Sequence, residues 1–300
     1  MTLPLRSILF VPGDSERKLE KALGSEADGL MIDLEDSVAP ARKPVARDMA
    51  AAFLRAGKTR PEVQVWVRIN PLGGDFALDD LAAIVGARPA GVLLPKAEGA
   101  GDIRRLSHYL DALEVREGVP LGSTRIMAVA TETAASTFVL HEYRGAGMER
   151  LYGLTWGAED LSADIGASTN RDPDGRLALT YRMVRSNMLL ASRAAGIFAF
   201  DTAHPNFRDI DALRETLDAC RREGFHGGFA IHPAQVEPLN TAFSPSDEDI
   251  AVAEKVVAAF DENPDAGTLG IDGKMYDRPH LVQAQKILAM RDAFAARAQL

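Results

Sequence analysis

Apolar residues along this chain follow two alternating periods. Short runs rich in Val, Ile, Leu and Phe, bounded by Gly, Pro, Asn or Asp, recur eight times: RSILFVP from Arg6, GLMIDLE from Gly29, VQVWVRIN from Val63, GVLLPKA from Gly91, RIMAVATE from Arg125, RLYGLTWGAED from Arg150, GIFAFDT from Gly196 and GGFAIHP from Gly227. Runs of this length and content predict buried strands. Between them, SERKLEKALGS, ALDDLAAIVG, DIRRLSHYLDALEVREG, TYRMVRSNMLLASRAAG and DIDALRETLDACRREG space their apolar residues as amphipathic helices do. The alternation predicts an α/β fold, a TIM (β/α)8 barrel over residues 1–240. A doubly wound open sheet is the competing arrangement, but it needs a Gly-rich nucleotide turn after the first strand, and FVPGDSERK is not one.

Residues 241–300 continue past the eighth strand. SPSDEDIAVAEKVVAAFDENPDA predicts a helix capped near Ser244 or Ser246, followed by a turn-rich segment, GTLGIDGKMYDRPH, and a last helix. This C-terminal helical extension is too small to be expected to fold on a core of its own, so the expectation is that it packs on the barrel or on a neighbouring subunit.

Composition narrows the function. With 46% hydrophobic and 26% charged residues the chain can bury a large core. No apolar run is long enough for a membrane span, and MTLPLRSILFVPGD lacks the layout of a signal peptide, so a cytoplasmic protein without a membrane partner is expected. Cys220 is the only cysteine, which excludes an internal disulfide and a cysteine zinc site and suggests a buried, inert thiol. A net charge of −9 provides no basic field for nucleic acid, so an anionic substrate must be met by a local cluster of positive groups.

A mixed acidic and basic cluster is visible at the strand ends, where TIM barrels place their chemistry. These ends carry Asp33, Glu35 and Asp36, then Arg68 and Asn70, Lys96, Glu132, Glu159 and Asp160, Asp201, and His232. Any one of them can be a helix cap, but their concentration at consecutive strand ends points to an active site. Carboxylates from two strand ends, Glu132 and Asp160, with no His or Cys in their motifs, suit a hard cation bound through oxygen. Mg²⁺ is the first choice and Mn²⁺ the second, leaving coordination positions for a 2-oxo acid. The alternative readings are a first-turn helix residue for Glu132 and an N-cap for Asp160.

The ordered motifs RSILFVPGD, DGLMIDLEDSVAPARK, WVRIN, GVLLPKAE, ATET, WGAEDLSADIG, AFDT, AIHP and GKMYDRPH resemble the citrate lyase β-subunit-like family, which includes malyl-CoA and citramalyl-CoA lyases, within the HpcH/HpaI aldolase superfamily. The similarity spans essentially the whole chain. It implies a barrel of the phosphoenolpyruvate/pyruvate type, assembled as a homotrimer or hexamer. It also implies metal ligands at Glu132 and Asp160, Arg68 on the substrate oxygens, Glu35 and Asp36 near the metal's waters, and the Gly157, Ala158 and Glu159 amides on a carboxylate. Arg6 and Lys96 are placed at the pocket by the family pattern, with structural ion pairing as the other reading. In related lyases the aspartate matching Asp277 closes over a neighbouring subunit, making it a candidate acid/base in trans; its other reading is an N-cap before Pro279. VATETAAST and AFDTAHPNFRD depart from the family pattern beside the pocket mouth, which bears on substrate choice.

The implied activity is Mg²⁺-dependent, reversible Claisen-type cleavage of a 3-hydroxyacyl-CoA, such as malyl-CoA or citramalyl-CoA, to an acyl-CoA and a 2-oxo acid. The alternatives are a hydroxyacyl-CoA thioesterase, an aldolase for free 2-oxo acids, a citrate lyase β subunit needing partner chains, and a scaffold that keeps only the fold.

Overall fold

The computed structural model describes residues 3–145 and 147–297. Eight parallel strands, β1 (Ser7–Pro12), β2 (Gly29–Asp33), β3 (Gln64–Arg68), β4 (Gly91–Leu94), β5 (Arg125–Val129), β6 (Leu151–Thr155), β7 (Phe198–Asp201) and β8 (Gly227–Ala230), pair in sequence order and close through β1 and β8 into a barrel. Each lies within one of the eight apolar runs. The helical segments expected from spacing form as Glu16–Ala22, Ala77–Ile84, Ala100–Glu117, Leu179–Ala195 and Ile210–Glu223. Among the described residues, β5 is followed by a short α-helix, Ala134–Thr137, and a 3-10 turn, Leu140–Arg144. Among the described residues no helix is long and apolar enough to cross a membrane.

Side chains two apart on a strand share a face, and this parity fills the barrel. Ile8, Met31, Trp66, Leu93, Met127, Tyr152, Phe200 and Phe229 belong to one buried apolar cluster. Trp66 needs unusual room. A Cβ on Gly91 would stand 2.2 Å from its ring, so only glycine fits opposite it. The same parity carries Met31 on to Asp33 and Trp66 on to Arg68, and Asp33 and Arg68 face each other as register partners. The core row thus turns polar at the C-terminal ends, where the site lies.

Chain contacts separate Pro4–Asn240 from a second unit that begins at Thr241. Within that second unit, Ser246 caps the helix Asp247–Glu262 through a reciprocal box with Asp249. The segment read as turn-rich is in fact an antiparallel hairpin, β9 (Thr268–Ile271) and β10 (Lys274–Asp277). Asp272 and Gly273 both take positive φ, 49° and 78°, as a two-residue hairpin loop requires. Contrary to the expectation of no core, Ala253, Val256, Phe260 and Ala284 form a small apolar cluster that Leu269, Ile271 and Tyr276 flank.

Candidate active site at the barrel mouth

Asp33 and Arg68 form the floor. Arg68 grips Asp33 with two parallel bonds, Nε to Oδ1 and Nη2 to Oδ2, each 2.7 Å. Its remaining nitrogen, Nη1, lies 3.0 Å from Glu35 Oε2 and 3.5 Å from Asp36. The Glu35 contact is an ion pair without hydrogen-bond alignment, for Glu35 Oε2 is buried and has no such partner. Burial pushes the Asp33 carboxyl up, but Arg68 outweighs it and holds the group below the ordinary range. For Glu35 the balance is reversed: burial wins over Arg68 and Lys96 and raises it.

Glu132 lies three residues beyond β5 and is 4% exposed. Burial, with Asp160 and Glu35 nearby, pushes its carboxyl up to about 8, although the Lys96 amide donates to it and pulls the other way. Asp160 sits in the first turn of the helix Ala158–Asp164; the N-cap is Gly157, so Asp160 is not the cap that its sequence allowed. The Lys96 ammonium links the acids, at 2.7 Å from Glu35, 3.5 Å from Asp160 and 3.9 Å from Asp36. Gly157 is required by contact: a Cβ there would stand 2.6 Å from Glu132 Cγ. The turn bearing Asp160 therefore rests on the Glu132 stem.

Arg68, Glu132, Gly157, Ala158, Glu159 and Asp160 line one cavity of 720 Å³, and Glu35, Asp36 and Lys96 join it through the ion pairs above. Arg6 is not among them. It precedes β1, at the opposite end of the barrel, where its guanidinium pairs with Asp28 at 2.9 Å and 3.0 Å; the ion-pair reading holds for it. Asp277 belongs to the second unit, where its carboxylate pairs with His280 and accepts the His280 amide at 3.4 Å, an N-cap arrangement for Arg278–Arg297. His280 holds the Asp277 carboxyl below the usual range.

Three basic residues of the cavity lining escaped the sequence reading. Arg17, Lys18 and Lys21, on the helix Glu16–Ala22, line the rim, yet in sequence they look like the solvated face of an ordinary helix. Their only signal was position directly after β1, where a barrel helix starts beside the mouth.

The carboxylates suit a cation that takes few protein oxygens. Among the described residues no group of three or more His, Cys, Asp or Glu side chains is placed to enclose a metal. A buried Glu132 beside Asp160, and a Glu35 oxygen without an aligned donor, are the donor chemistry that a water-rich divalent ion completes. Barrel and mouth together define a TIM-barrel enzyme with a hard-cation type of acidic centre and a cationic rim. Residues 6–233 match the HpcH/HpaI aldolase/citrate lyase family, and the chain belongs to it. It is 35% identical over 295 residues to a (3S)-malyl-CoA thioesterase of Cereibacter sphaeroides, covering 98% of this chain and 96% of that one. It is 34% identical over 285 residues to the citrate lyase subunit beta of Haemophilus influenzae, covering 94% and 95%. Among solved structures, the protein CitE of Mycobacterium tuberculosis in complex with magnesium, acetoacetate and coenzyme A superposes with a TM-score of 0.76 at 32% identity, covering 95% and 97%.

Proposed function

We propose that this chain is a Mg²⁺-dependent acyl-CoA lyase that reversibly cleaves a 3-hydroxyacyl-CoA of the malyl-CoA or citramalyl-CoA type into an acyl-CoA and a 2-oxo acid. The observation that carries the reading is the meeting of Arg68, Glu132 and Asp160 in one cavity whose rim holds Arg17, Lys18 and Lys21. A coenzyme A thioester is a polyanion with an apolar arm, and in a chain of net charge −9 that rim is the local positive cluster it needs. The magnesium and coenzyme A of the CitE complex agree with this chemistry.

Glu132 and Asp160 are the residues to hold Mg²⁺, which when bound supplies Lewis-acid polarisation of the oxo oxygen. Arg68, fixed by its fork on Asp33, presents a charge to the oxo oxygen, which is an alkoxide before the carbon–carbon bond breaks and becomes one again when that bond forms in condensation. The Gly157, Ala158 and Glu159 amides are placed at a helix start, where free N–H groups favour the carboxylate of the oxo acid. Glu35, Asp36 and Lys96 set the charge balance around them. Asp277 from a neighbouring copy in a homotrimer or hexamer protonates the thioester enolate carbon during cleavage and removes that proton during condensation, while the proton of the 3-hydroxyl leaves to solvent in cleavage and returns from it in condensation. Residues 1–240 then form the catalytic barrel and 241–300 the extension that packs on the neighbour.

Hydrolysis is the second reading, favoured by the (3S)-malyl-CoA thioesterase relatives. One experiment separates the two. Malyl-CoA and citramalyl-CoA are incubated with the protein, with and without EDTA, and products are read by mass spectrometry. Acetyl-CoA with glyoxylate or pyruvate is expected, lost with EDTA. Free CoA with the hydroxy acid assigns a thioesterase, and turnover unchanged after full metal removal overturns the metal role.

A further inference from the structure

Behind the site lies a buried charged cluster that the chemistry above does not use. Asp201 ends β7 and is 6% exposed. Its Oδ1 accepts the indole N–H of Trp156 at 2.6 Å and Arg185 Nε at 3.1 Å. Its Oδ2 accepts the Cys220 thiol at 2.7 Å and Arg185 Nη2 at 3.3 Å. Burial, then the Asp201 charge, raise the Cys220 pKa, so this sulfur stays protonated and is the donor. A carboxylate taken out of water at a strand end is costly unless every lone pair is met, and here each oxygen has two donors. Arg185, from the helix Leu179–Ala195, supplies the opposite charge and is itself held by Glu223 and the face of Phe225.

Trp156 is the only one of these groups that reaches the cavity. It follows directly on β6, which pairs with β7, so the bond to Asp201 ties two adjacent strand ends together. The next four residues are the turn Gly157 to Asp160. That turn is pinned on both flanks: Trp156 is anchored on Asp201 on one side, and Gly157 rests on the Glu132 stem on the other, at a spacing where no Cβ fits. The separation of the Glu132 and Asp160 carboxylates thus depends on where the indole anchor holds the chain. Mg²⁺ tolerates little error in that separation, because its oxygen ligands must sit near octahedral positions at about 2.1 Å.

We infer that Asp201 is a positioning residue for the Glu132 and Asp160 pair, acting through the indole N–H of Trp156. The inference rests on the reading of that pair as Mg²⁺ ligands. Its consequence is that metal affinity depends on a hydrogen bond made away from the cavity, by a carboxylate that touches neither metal nor substrate.

The test is calorimetric titration of the full chain with Mg²⁺ alone, at a temperature well below the unfolding midpoint of each variant. Trp156→Phe keeps an aromatic ring and leaves the bonds of Asp201 to Arg185 and Cys220 in place, but removes the indole N–H; it is expected to bind Mg²⁺ roughly tenfold more weakly, the lower end of what loss of a ligand-orienting partner costs. Asp201→Asn keeps an acceptor for the indole and is expected to lose less. Glu132→Gln is the control for the ligand reading. Wild-type affinity in Trp156→Phe overturns the positioning role while leaving the metal site standing. Mg²⁺ binding in the wild type that Glu132→Gln leaves unchanged overturns the ligand reading, and the inference with it.

Discussion

Lys96 holds Glu132 by its main chain: the backbone N–H of Lys96 donates to Glu132 Oε2 at 2.5 Å, while its ammonium reaches Glu35. The geometry comes at a local cost, because Lys96 has a φ of 50°, a left-handed conformation that costs a non-glycine residue roughly 1–2 kcal/mol. A hydrogen bond that leaves neither this amide nor the buried Glu132 oxygen unsatisfied offsets a cost of that size. The strained backbone therefore aims an amide at the proposed metal ligand and leaves the ammonium free to balance the surrounding acids.

That division of labour predicts a separation of effects in Lys96→Ala. The variant keeps the amide to Glu132 but removes the ammonium 3.5 Å from Asp160, a positive charge that opposes a cation at the same carboxylates. Mg²⁺ affinity by calorimetry is expected to rise, on the order of fivefold for a partly screened pair. Affinity for pyruvate, an anion, is expected to fall. Weaker Mg²⁺ binding in Lys96→Ala contradicts the balancing role.

Arg68→Lys tests the fork. A lysine keeps the charge but cannot make the two parallel 2.7 Å bonds to Asp33 while presenting a third nitrogen to the site. On the lyase reading, kcat for malyl-CoA cleavage is expected to fall roughly 10²- to 10³-fold, the usual cost of losing a fixed charge stabiliser. KM should change less. A loss confined to KM assigns Arg68 to ground-state binding instead.

The barrel was legible because its strands are apolar runs separated by helical periods, and the site because charged residues interrupt that pattern where strands end. Asp33 and Arg68 could be placed by parity alone, two residues beyond Met31 and Trp66. For Arg6 the family pattern left a pocket role and an ion pair both open; its place before β1 and its fork on Asp28 favour the ion pair. The β9 and β10 hairpin was hidden because its strands are four residues long and half-exposed, without a continuous apolar run. Asp201 was named only as a strand end, since its partners Trp156, Arg185 and Cys220 lie on three other elements.

At the other end of the barrel, Glu114 predicts an acid limb of stability. It is 0% exposed and meets Arg150 at 2.6 Å and 2.9 Å, with further bonds from the Gly122 and Thr124 amides. Burial pushes its carboxyl up, but these donors prevail and bring it to about 2, against an ordinary 4.5. A folded value below the unfolded one stabilises the protein above pH 4.5, and that contribution is lost as pH falls toward 2. Glu114→Gln leaves the buried Arg150 with Asp111 as its remaining partner charge and is expected to lose about 2 kcal/mol at pH 7 in urea unfolding, the cost of charge-assisted bonds weakened to neutral ones. Its stability should also fall less steeply than the wild type's below pH 4.5. An acid limb identical to the wild type's rules out Glu114 as its source.

The assignment of Asp277 in trans has a quantitative signature. Alone, Asp277 is a poor base: His280 keeps its carboxyl low, and the side chain is partly open to water. Closure over a neighbour's cavity supplies the desolvation that raises a carboxyl toward a useful basicity. If each site takes Arg68 from one chain and Asp277 from the next, neither Arg68→Ala nor Asp277→Ala oligomers retain a complete site. Random co-assembly in equal amounts gives a complete site at about one quarter of positions in the whole mixture, and at about one third in cyclic trimers that contain both chains, so about one third of wild-type turnover is expected once homogeneous trimers are removed. A site built within one chain predicts no recovery, because every chain in the mixture lacks one of the two groups. Acetyl-CoA release from malyl-CoA by co-expressed, differently tagged chains, purified through both tags in turn, distinguishes the two; absence of recovery in those mixed oligomers overturns the assignment in trans, and full activity of Asp277→Ala alone returns Asp277 to its role as a helix cap.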